Sequence, residues 1–99
     1  AVVVAPCTAN ALAKFARGIA DDLLSSTVLA TRAPLVLAPA MNAGMWTNPA
    51  TAENLAVLAA RGAHVVTPEE GELACGTAGP GRLADVKVVF DCVQKILFG

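Results

Sequence analysis

The sequence predicts an α/β fold, a three-layer sandwich in which a parallel sheet lies between two layers of helices. Three apolar runs, at residues 1–5, 34–38 and 63–66, are short and rich in β-branched residues, which is typical of strands covered on both faces. Segments with an apolar period of three to four residues lie between and after these runs, and they predict helices. Strands that alternate with helices indicate right-handed crossovers and hence neighbouring parallel strands.

The composition sets limits on the class of protein. The 99 residues form one domain at most, 56% of them are hydrophobic, and the net charge is −1. The charged fraction of 15% is below the ~25% of an ordinary domain, so much of the surface is expected to be covered. A disordered chain needs the opposite composition, with few apolar and many charged residues, and a nucleic-acid-binding protein needs an excess of basic residues. The composition excludes both classes. No apolar run reaches ~18–20 residues, so we expect a soluble, cytoplasmic protein.

Two helices are predicted after the first strand. Gly18 and the pair Asp21 and Asp22 interrupt the apolar period. Glycine is the usual residue just after a helix and aspartate a common N-cap, so we expect one helix to end at Gly18 and the next to begin after an aspartate. The apolar face is predicted at Leu12, Phe15, Ala16, Ile19, Leu23, Thr27 and Ala30.

Two further helices have their own signals. Asn48 can cap a helix, Pro49 suits its first turn, and Gly62 follows the expected end at Arg61. The predicted buried positions of this helix are Ala52, Leu55, Ala56 and Ala59. The last helix runs from about Asp85 towards Leu97, with Val86, Val89, Phe90, Val93 and Leu97 on one stripe and Cys92 in the core.

Polar or unusual segments follow each predicted strand, where open parallel sheets bind their ligands. Thr8 and Asn10 follow the first strand, and they either cap a helix or hold a phosphate or polar ring edge. Residues 39–46 form a predicted loop that places Met41, Met45 and Trp46 around Asn42. A loop seldom leaves so much apolar surface without a ligand or partner chain to cover it.

The third segment, residues 67–82, is rich in glycine and contains Cys75 and Arg82. It is either a long surface turn or a loop that opens and closes over a site. A thiol in such a loop suits proton donation or nucleophilic attack. The glycine spacing matches neither the phosphate loop nor the dinucleotide fingerprint.

The other chemistry-bearing residues are assigned structural roles. His64 lies inside the third strand, and Asp21 and Asp22 are adjacent, so on a helix they would point about 100° apart and cannot act as a paired acid and base. The three cysteines have no metal-ligand spacing and indicate thiols rather than a disulfide framework. Neither a catalytic triad nor a metal cluster can be assembled from the sequence.

Three motifs together resemble the flavin-dependent cysteine decarboxylases, and within them the branch that acts on phosphopantothenoylcysteine in coenzyme A biosynthesis. The first is APCTAN at residues 5–10, followed by GIADDL at 18–23. The second is PAMNAGMW at 39–46, and the third is LACG at 73–76 with GPGR at 79–82. They are similar to the family's flavin-contacting segment, its Asn-Met-Trp signature and its substrate flap. The resemblance implies a Rossmann-like or flavodoxin-like flavoprotein fold.

The family's chemistry is a carboxy-lyase reaction. The resemblance implies that FMN oxidises the substrate's cysteinyl thiol to a thioaldehyde, that CO₂ is lost, and that the enethiol is reduced to 4′-phosphopantetheine without net redox change. Cys75 matches the catalytic proton donor, and Asn42 matches the holder of the substrate carboxylate. The further substrate contacts are Met45, Ala74, Gly76 and Arg82, and the cofactor contacts are Thr8, Ala9, Asn10, Ala11 and Asp21.

The resemblance also implies what surrounds this segment. The family's catalytic histidine and Gly-rich flavin-phosphate turn lie upstream of the match to Ala1, so we expect residues 1–99 to be a partial domain without full activity by itself. Cys7 stands where relatives often carry a small residue, where it could crowd or tune the flavin edge. Family members form trimers, some of them assembled into dodecamers, with sites at subunit boundaries. We therefore expect a homo-oligomer in which residues 39–46 and part of the first helix face a partner chain.

Two other activities stay open at this point. One is decarboxylation of a peptidyl cysteine, as in lantibiotic biosynthesis, by an enzyme that shares the fold, the flavin and the Asn motif. The other is a non-catalytic role, in which a relative of the same fold regulates a protein phosphatase. The Ala-Cys-Gly flap around Cys75 favours the coenzyme A enzyme.

Overall fold

A sheet of three parallel strands organises the chain. The computed structural model describes residues 1–67 and 85–99, and in them the strand order is β1-β2-β3. The strands are β1 (Val2–Cys7), β2 (Leu35–Pro39) and β3 (His64–Val65). The helices are α1 (Ala9–Arg17), α2 (Leu23–Ala30), α3 (Ala43–Trp46), α4 (Pro49–Ala60) and α5 (Val86–Phe98).

The central strand β2 is covered on both faces, which confirms the three-layer sandwich. Leu37 packs in a core with Val4 of β1, and α1 and α4 close this core with Leu12, Phe15, Ala16 and Leu58. Val36 and Ala38 point the other way and pack with Val66 and with Val89 of α5. Because successive residues of a strand point to opposite faces, one short strand contributes to both cores.

The end of β1 departs from the regular register. Val2, Val3 and Val4 pair with three successive residues of β2, but the register then shifts, and Cys7 pairs with Pro39. Val4 and Cys7 consequently both enter the same core, although they are an odd number of residues apart. The Ala5–Pro6 peptide within this irregular segment is cis.

The predicted break between the first two helices is confirmed. Gly18 ends α1 with a left-handed φ of 72°, and its N–H donates to the Lys14 carbonyl. Asp22 is the N-cap of α2 and forms a capping box with Ser25. The Ser25 amide donates to Asp22 Oδ1 at 2.7 Å, and the Ser25 hydroxyl donates to the same oxygen at 2.6 Å.

The predicted apolar face is correct for Leu12, Phe15 and Ala16 of α1, but it is wrong for Ile19, which follows α1 and is 48% exposed, and for α2. Leu23 is 84% exposed, and Thr27 and Ala30 are also exposed, whereas α2 packs through Ser25 and the half-buried Val28. The helix has leucines at several angles, so the period does not define one face. The capping box instead decides which face of α2 turns inward, because its hydrogen bonds hold the buried Ser25 side chain at the start of the helix.

The predicted face of α4 is also wrong, although its ends at Asn48 and Arg61 are confirmed. The buried residues of α4 are Thr51, Asn54 and Leu58, while Ala52, Ala56 and Ala59 are exposed and Leu55 is half-buried. Alanine counts as apolar in a periodicity analysis, but it buries too little area to decide which face turns inward.

Two of the five residues of the predicted stripe on α5 are correct, Val89 and Val93, and the predicted packing of Cys92 is confirmed. Val89 is buried, and Val88, Cys92, Val93 and Ile96 pack against its cluster. Val86, Phe90 and Leu97 are 78%, 58% and 49% exposed, so their predicted burial is wrong. The helix carries apolar residues on more than one face, and the sheet covers only one of them. Within the described ranges, no helix is long and apolar enough to cross a bilayer.

The capping box predicts a measurable pH dependence. Hydrogen bonds from the Ser25 hydroxyl and then the Ser25 amide, with a further one from Lys14, lower the pKa of Asp22 from 3.8 to about 2. A depressed carboxyl pKa stabilises the fold above the unfolded value, and this contribution is lost as the pH falls from about 4 to about 2. We expect NMR titration of Asp22 to give a midpoint near this lower value.

The Asp22→Asn variant should lose that part of the acid dependence in denaturant unfolding measured between pH 6 and 2. The Asp91→Asn variant, which changes a carboxylate on α5, serves as the control and should keep it. A midpoint for Asp22 near its ordinary value would mean that the capping box does not form in solution.

Candidate functional site

The carboxyl ends of β1 and β2 bring two of the predicted site segments together. Cys7 pairs with Pro39 at the end of the parallel ladder, and the Ala40 amide donates to the Cys7 carbonyl at 3.0 Å. The turn that begins at Thr8 therefore lies beside the turn that contains Asn42. This juxtaposition is the one expected of a ligand site at the carboxyl edge of a parallel sheet.

Thr8 is the N-cap of α1. Its side-chain oxygen accepts from the Ala11 amide at 3.1 Å, and its carbonyl accepts from the Leu12 amide at 2.9 Å. The amides of Ala9 and Asn10 come earlier in the first turn, where no carbonyl of the helix can accept from them. The capping interpretation of Thr8 is confirmed, and the same turn still presents two N–H donors to a ligand.

Asn42 occupies the corresponding position at the end of β2. It is exposed, it caps α3, and its Oδ1 accepts from the Met45 amide at 2.9 Å. The Asn42 carbonyl accepts from the Trp46 amide at 3.0 Å. Since Oδ1 is used for capping, the Nδ2 group remains as a donor for a ligand.

The prediction that residues 39–46 form a loop is wrong at both ends. Pro39 belongs to β2, and Ala43–Trp46 form one turn of helix. The missed signal was Asn42, a strong N-cap residue, placed directly before four residues that can form a turn. Met45 is 50% exposed, so the turn presents part of the apolar surface expected of this segment.

Thr51 is a residue that the sequence analysis missed. It is buried in α4, and its Oγ1 donates to the Met45 carbonyl at 2.6 Å. The sequence held no signal for it, because the predicted inward face of α4 did not include position 51. Thr51 therefore joins the short α3, which Asn42 caps, to the long α4.

Cys7 lies in the core and has no exposed surface. Burial raises the pKa of its thiol from 9.0 to about 12, so the group is neutral at physiological pH. The expectation that Cys7 crowds or tunes a flavin edge is wrong for this structure, because its side chain packs among Val4, Leu12 and Leu37.

Asp21 does not join the Thr8 turn. Its Oδ1 accepts from Lys14 Nζ at 2.8 Å, and the Lys14 ammonium also bonds Asp22 at 3.1 Å. Lys14 is six residues beyond Thr8, or about 9 Å along the helix axis. The structure thus places residues 8–11 at the same edge of the sheet as Asn42 and leaves Asp21 towards the other end of α1.

The remaining candidates have different outcomes. Cys75, Ala74, Gly76 and Arg82 lie outside the described residues. His64 is exposed on β3 rather than buried in the sheet. In the ranges that the structure describes, no group of three His, Cys, Asp or Glu side chains could hold a metal ion.

A parallel α/β sheet with two capped polar turns at its carboxyl edge is typical of one class of protein. Members of this class bind a small ligand at the ends of their strands. Comparison with known proteins makes the assignment more specific. The model of the Flavoprotein family matches residues 1–98, and the chain belongs to that family.

Relatives and solved structures agree with this assignment. The chain is 46% identical over 96 residues to the coenzyme A biosynthesis bifunctional protein CoaBC of Mycolicibacterium smegmatis, covering 97% of this chain and 23% of that protein. Identity to the CoaBC protein of Bacillus subtilis is 46% over 94 residues, covering 95% of this chain and 23% of that protein.

Two solved structures superpose closely on this chain. A PPC decarboxylase mutant complexed with pantothenoylaminoethenethiol has a TM-score of 0.85 at 36% identity, covering 98% of this chain and 54% of that one. The FMN-dependent cysteine decarboxylase SpaF has a TM-score of 0.76 at 44% identity, covering 96% and 49%. The chain thus spans about half of these structures and about a quarter of the CoaBC proteins.

Proposed function

We propose that this chain is part of an FMN-dependent carboxy-lyase that converts 4′-phosphopantothenoylcysteine into 4′-phosphopantetheine. The observation that carries the proposal is the Asn42 amide, held by its own capping bond beside the Thr8 turn at the ligand edge of the sheet. The similarity to CoaBC proteins over nearly the whole chain supports the same substrate.

The Thr8 turn fits a flavin. The amides of Ala9 and Asn10 point out of the first turn of α1, where they can donate to the polar edge of the ring system or to a phosphate. Thr8 and Ala11 complete the turn through their capping bond. When bound there, FMN would supply the two-electron oxidation of the substrate thiol and the later return of those electrons.

Asn42 is suited to hold the substrate carboxylate. Its Nδ2 donates hydrogen bonds without a positive charge, so it orients the carboxylate but does not stabilise it in the ionised ground state as a cation would. That difference favours loss of CO₂. Met45 lies one turn further along α3, half exposed, where its side chain can cover the substrate.

Cys75 is proposed as the proton donor for the last reduction, on the strength of the motif alone. A thiol with an ordinary pKa of about 8.5 is protonated at neutral pH and has a proton to give. Ala74, Gly76 and Arg82 of the same motif are proposed as substrate contacts.

The direct test uses the protein expressed from its natural gene. With FMN and 4′-phosphopantothenoylcysteine, we expect release of CO₂ and formation of 4′-phosphopantetheine, followed by mass spectrometry. A peptide that ends in cysteine is the matched second substrate. Turnover of the peptide alone would assign the lantibiotic-type activity instead, and FMN binding without turnover of either would favour a regulatory role.

The Asn42→Asp variant should lose at least about ten-fold in kcat/KM, because a second carboxylate would face that of the substrate. Asn48→Asp is the matched control, since Asn48 caps α4 through Oδ1 in the same way and aspartate caps a helix as well as asparagine does. Kinetics of Asn42→Asp equal to those of the control would remove Asn42 from the site.

The Cys75→Ser variant should still release CO₂ but accumulate the enethiol, which is two hydrogens lighter than the product. Mass spectrometry of the quenched reaction separates the two compounds. Cys92→Ser, which changes a thiol of α5, should give the normal product. Normal output from Cys75→Ser would show that another group donates the proton.

We also propose that the protein is a homo-oligomer, a trimer or dodecamer, whose sites lie at subunit boundaries. The exposed apolar side chains support this proposal, among them Met45 beside Asn42, and Leu23, Val86, Phe90 and Phe98. Sedimentation velocity of the natural gene product should give a mass of three or more subunits. A monomer with full activity would contradict the shared site.

A further inference from the structure

The inward face of α4 is unexpectedly polar. A helix that packs on a core normally turns apolar side chains towards it, yet Thr51 is only 7% exposed and Asn54 only 9%. A buried hydroxyl has a desolvation cost unless it forms a hydrogen bond. The Thr51 hydroxyl forms such a hydrogen bond, with the Met45 carbonyl at 2.6 Å. This bond to α3 offsets the cost of burying the hydroxyl.

Thr51 holds α3, a helix that is too short to be stable by itself. Ala43–Trp46 form only one turn, and the first turn of a helix is the one whose formation is unfavourable. The Thr47 hydroxyl, which donates to the Ala43 carbonyl at 2.9 Å, is exposed and local to that turn. In the described part of the chain, Thr51 is the side chain that ties the turn to the body of α4.

Met45 connects Thr51 to Asn42 through its two backbone groups. The Met45 carbonyl accepts from Thr51 Oγ1, and the Met45 amide donates to Asn42 Oδ1 at 2.9 Å. The carboxamide of Asn42 is planar, so fixing the position of Oδ1 also fixes the direction of Nδ2. The buried hydroxyl of α4 is therefore two hydrogen bonds away from the donor that faces the ligand edge.

We infer that Thr51 is a positioning residue, which aims the Asn42 amide at the substrate carboxylate without touching the substrate. This inference rests on the proposed function for its kinetic consequence, but not for its structural one. It also accounts for the buried hydroxyl at position 51, because an apolar residue there would pack equally well but leave the Met45 carbonyl with backbone donors such as the Asn48 amide at 3.2 Å.

The test compares Thr51→Val, which keeps the shape and removes the hydroxyl, with Thr51→Ser, which keeps the hydroxyl. Loss of a bond worth about 1 kcal/mol corresponds to about five-fold, so we expect kcat/KM of Thr51→Val to fall about five- to ten-fold. Thr51→Ser should stay within about two-fold by the same estimate, and FMN affinity should be unchanged in both. Thr27→Val is the matched control, because it removes a hydroxyl-to-carbonyl bond of 2.7 Å from exposed α2.

A double-mutant cycle with Asn42→Ala separates positioning from general destabilisation. If Thr51 acts through Asn42, adding Thr51→Val to Asn42→Ala should lower kcat/KM no further. Additive losses, or a loss of FMN affinity parallel to the loss of turnover, would overturn the inference and leave Thr51 with a structural role.

Hydrogen exchange of the Met45 amide gives a readout that does not depend on the reaction. The exchange should accelerate in Thr51→Val and return to the native rate in Thr51→Ser. If the wild-type protein lacks decarboxylase activity but this pattern holds, the proposed function fails and the positioning role stands. Unchanged exchange in Thr51→Val would overturn the role of Thr51 whatever the activity.

Discussion

The parallel pairing of β1 with β2 is the constraint on which the rest of the structure depends. It aligns the carboxyl ends of two strands and closes them with the bond from the Ala40 amide to the Cys7 carbonyl. Each strand is followed by an N-cap, Thr8 directly after β1 and Asn42 three residues after the end of β2. A shift in this register would separate the two turns and would also move side chains of β2 from one core to the other.

Apolar burial, rather than ion pairing, fixes the helices around this sheet. Leu12 is fully buried and Leu58 nearly so at the contact between α1 and α4, and a buried leucine contributes about 1.5–3 kcal/mol. The ion pair between Arg17 and Glu53 joins the same two helices at 2.7 Å, but both side chains are more than half exposed. Exposed pairs of this kind contribute at most about 1 kcal/mol.

The sequence was sufficient for the strands, for the ends of α1 and α4 and for the position of Thr8 and Asn42 after two neighbouring strands, because each depends on a local signal. Gly18 and Asn48 mark helix ends by their backbone and capping preferences, whatever surrounds them. The inward faces of α2 and α4 depended on contacts that periodicity does not contain, since alanine and leucine count alike in a period but bury different areas. The one-turn α3 was missed because a single turn has too few residues to show an apolar period, although Asn42 is a local capping signal. The functional roles of the flap around Cys75 rest on its motif.

The helices that flank the site also give it an electrostatic direction. α1 and α4 both begin at the carboxyl edge of the sheet, and neither has an acidic residue in its first turn. At the far end of α1, Arg61 donates to the Ala16 carbonyl at 2.9 Å and offsets the partial negative charge of that terminus. The N-terminus of each of these helices carries a partial positive charge, and no acidic side chain in its own first turn offsets that charge. Although the chain has a net charge of −1, these two helix ends therefore contribute an attraction for an anionic ligand at this edge, which added salt would weaken.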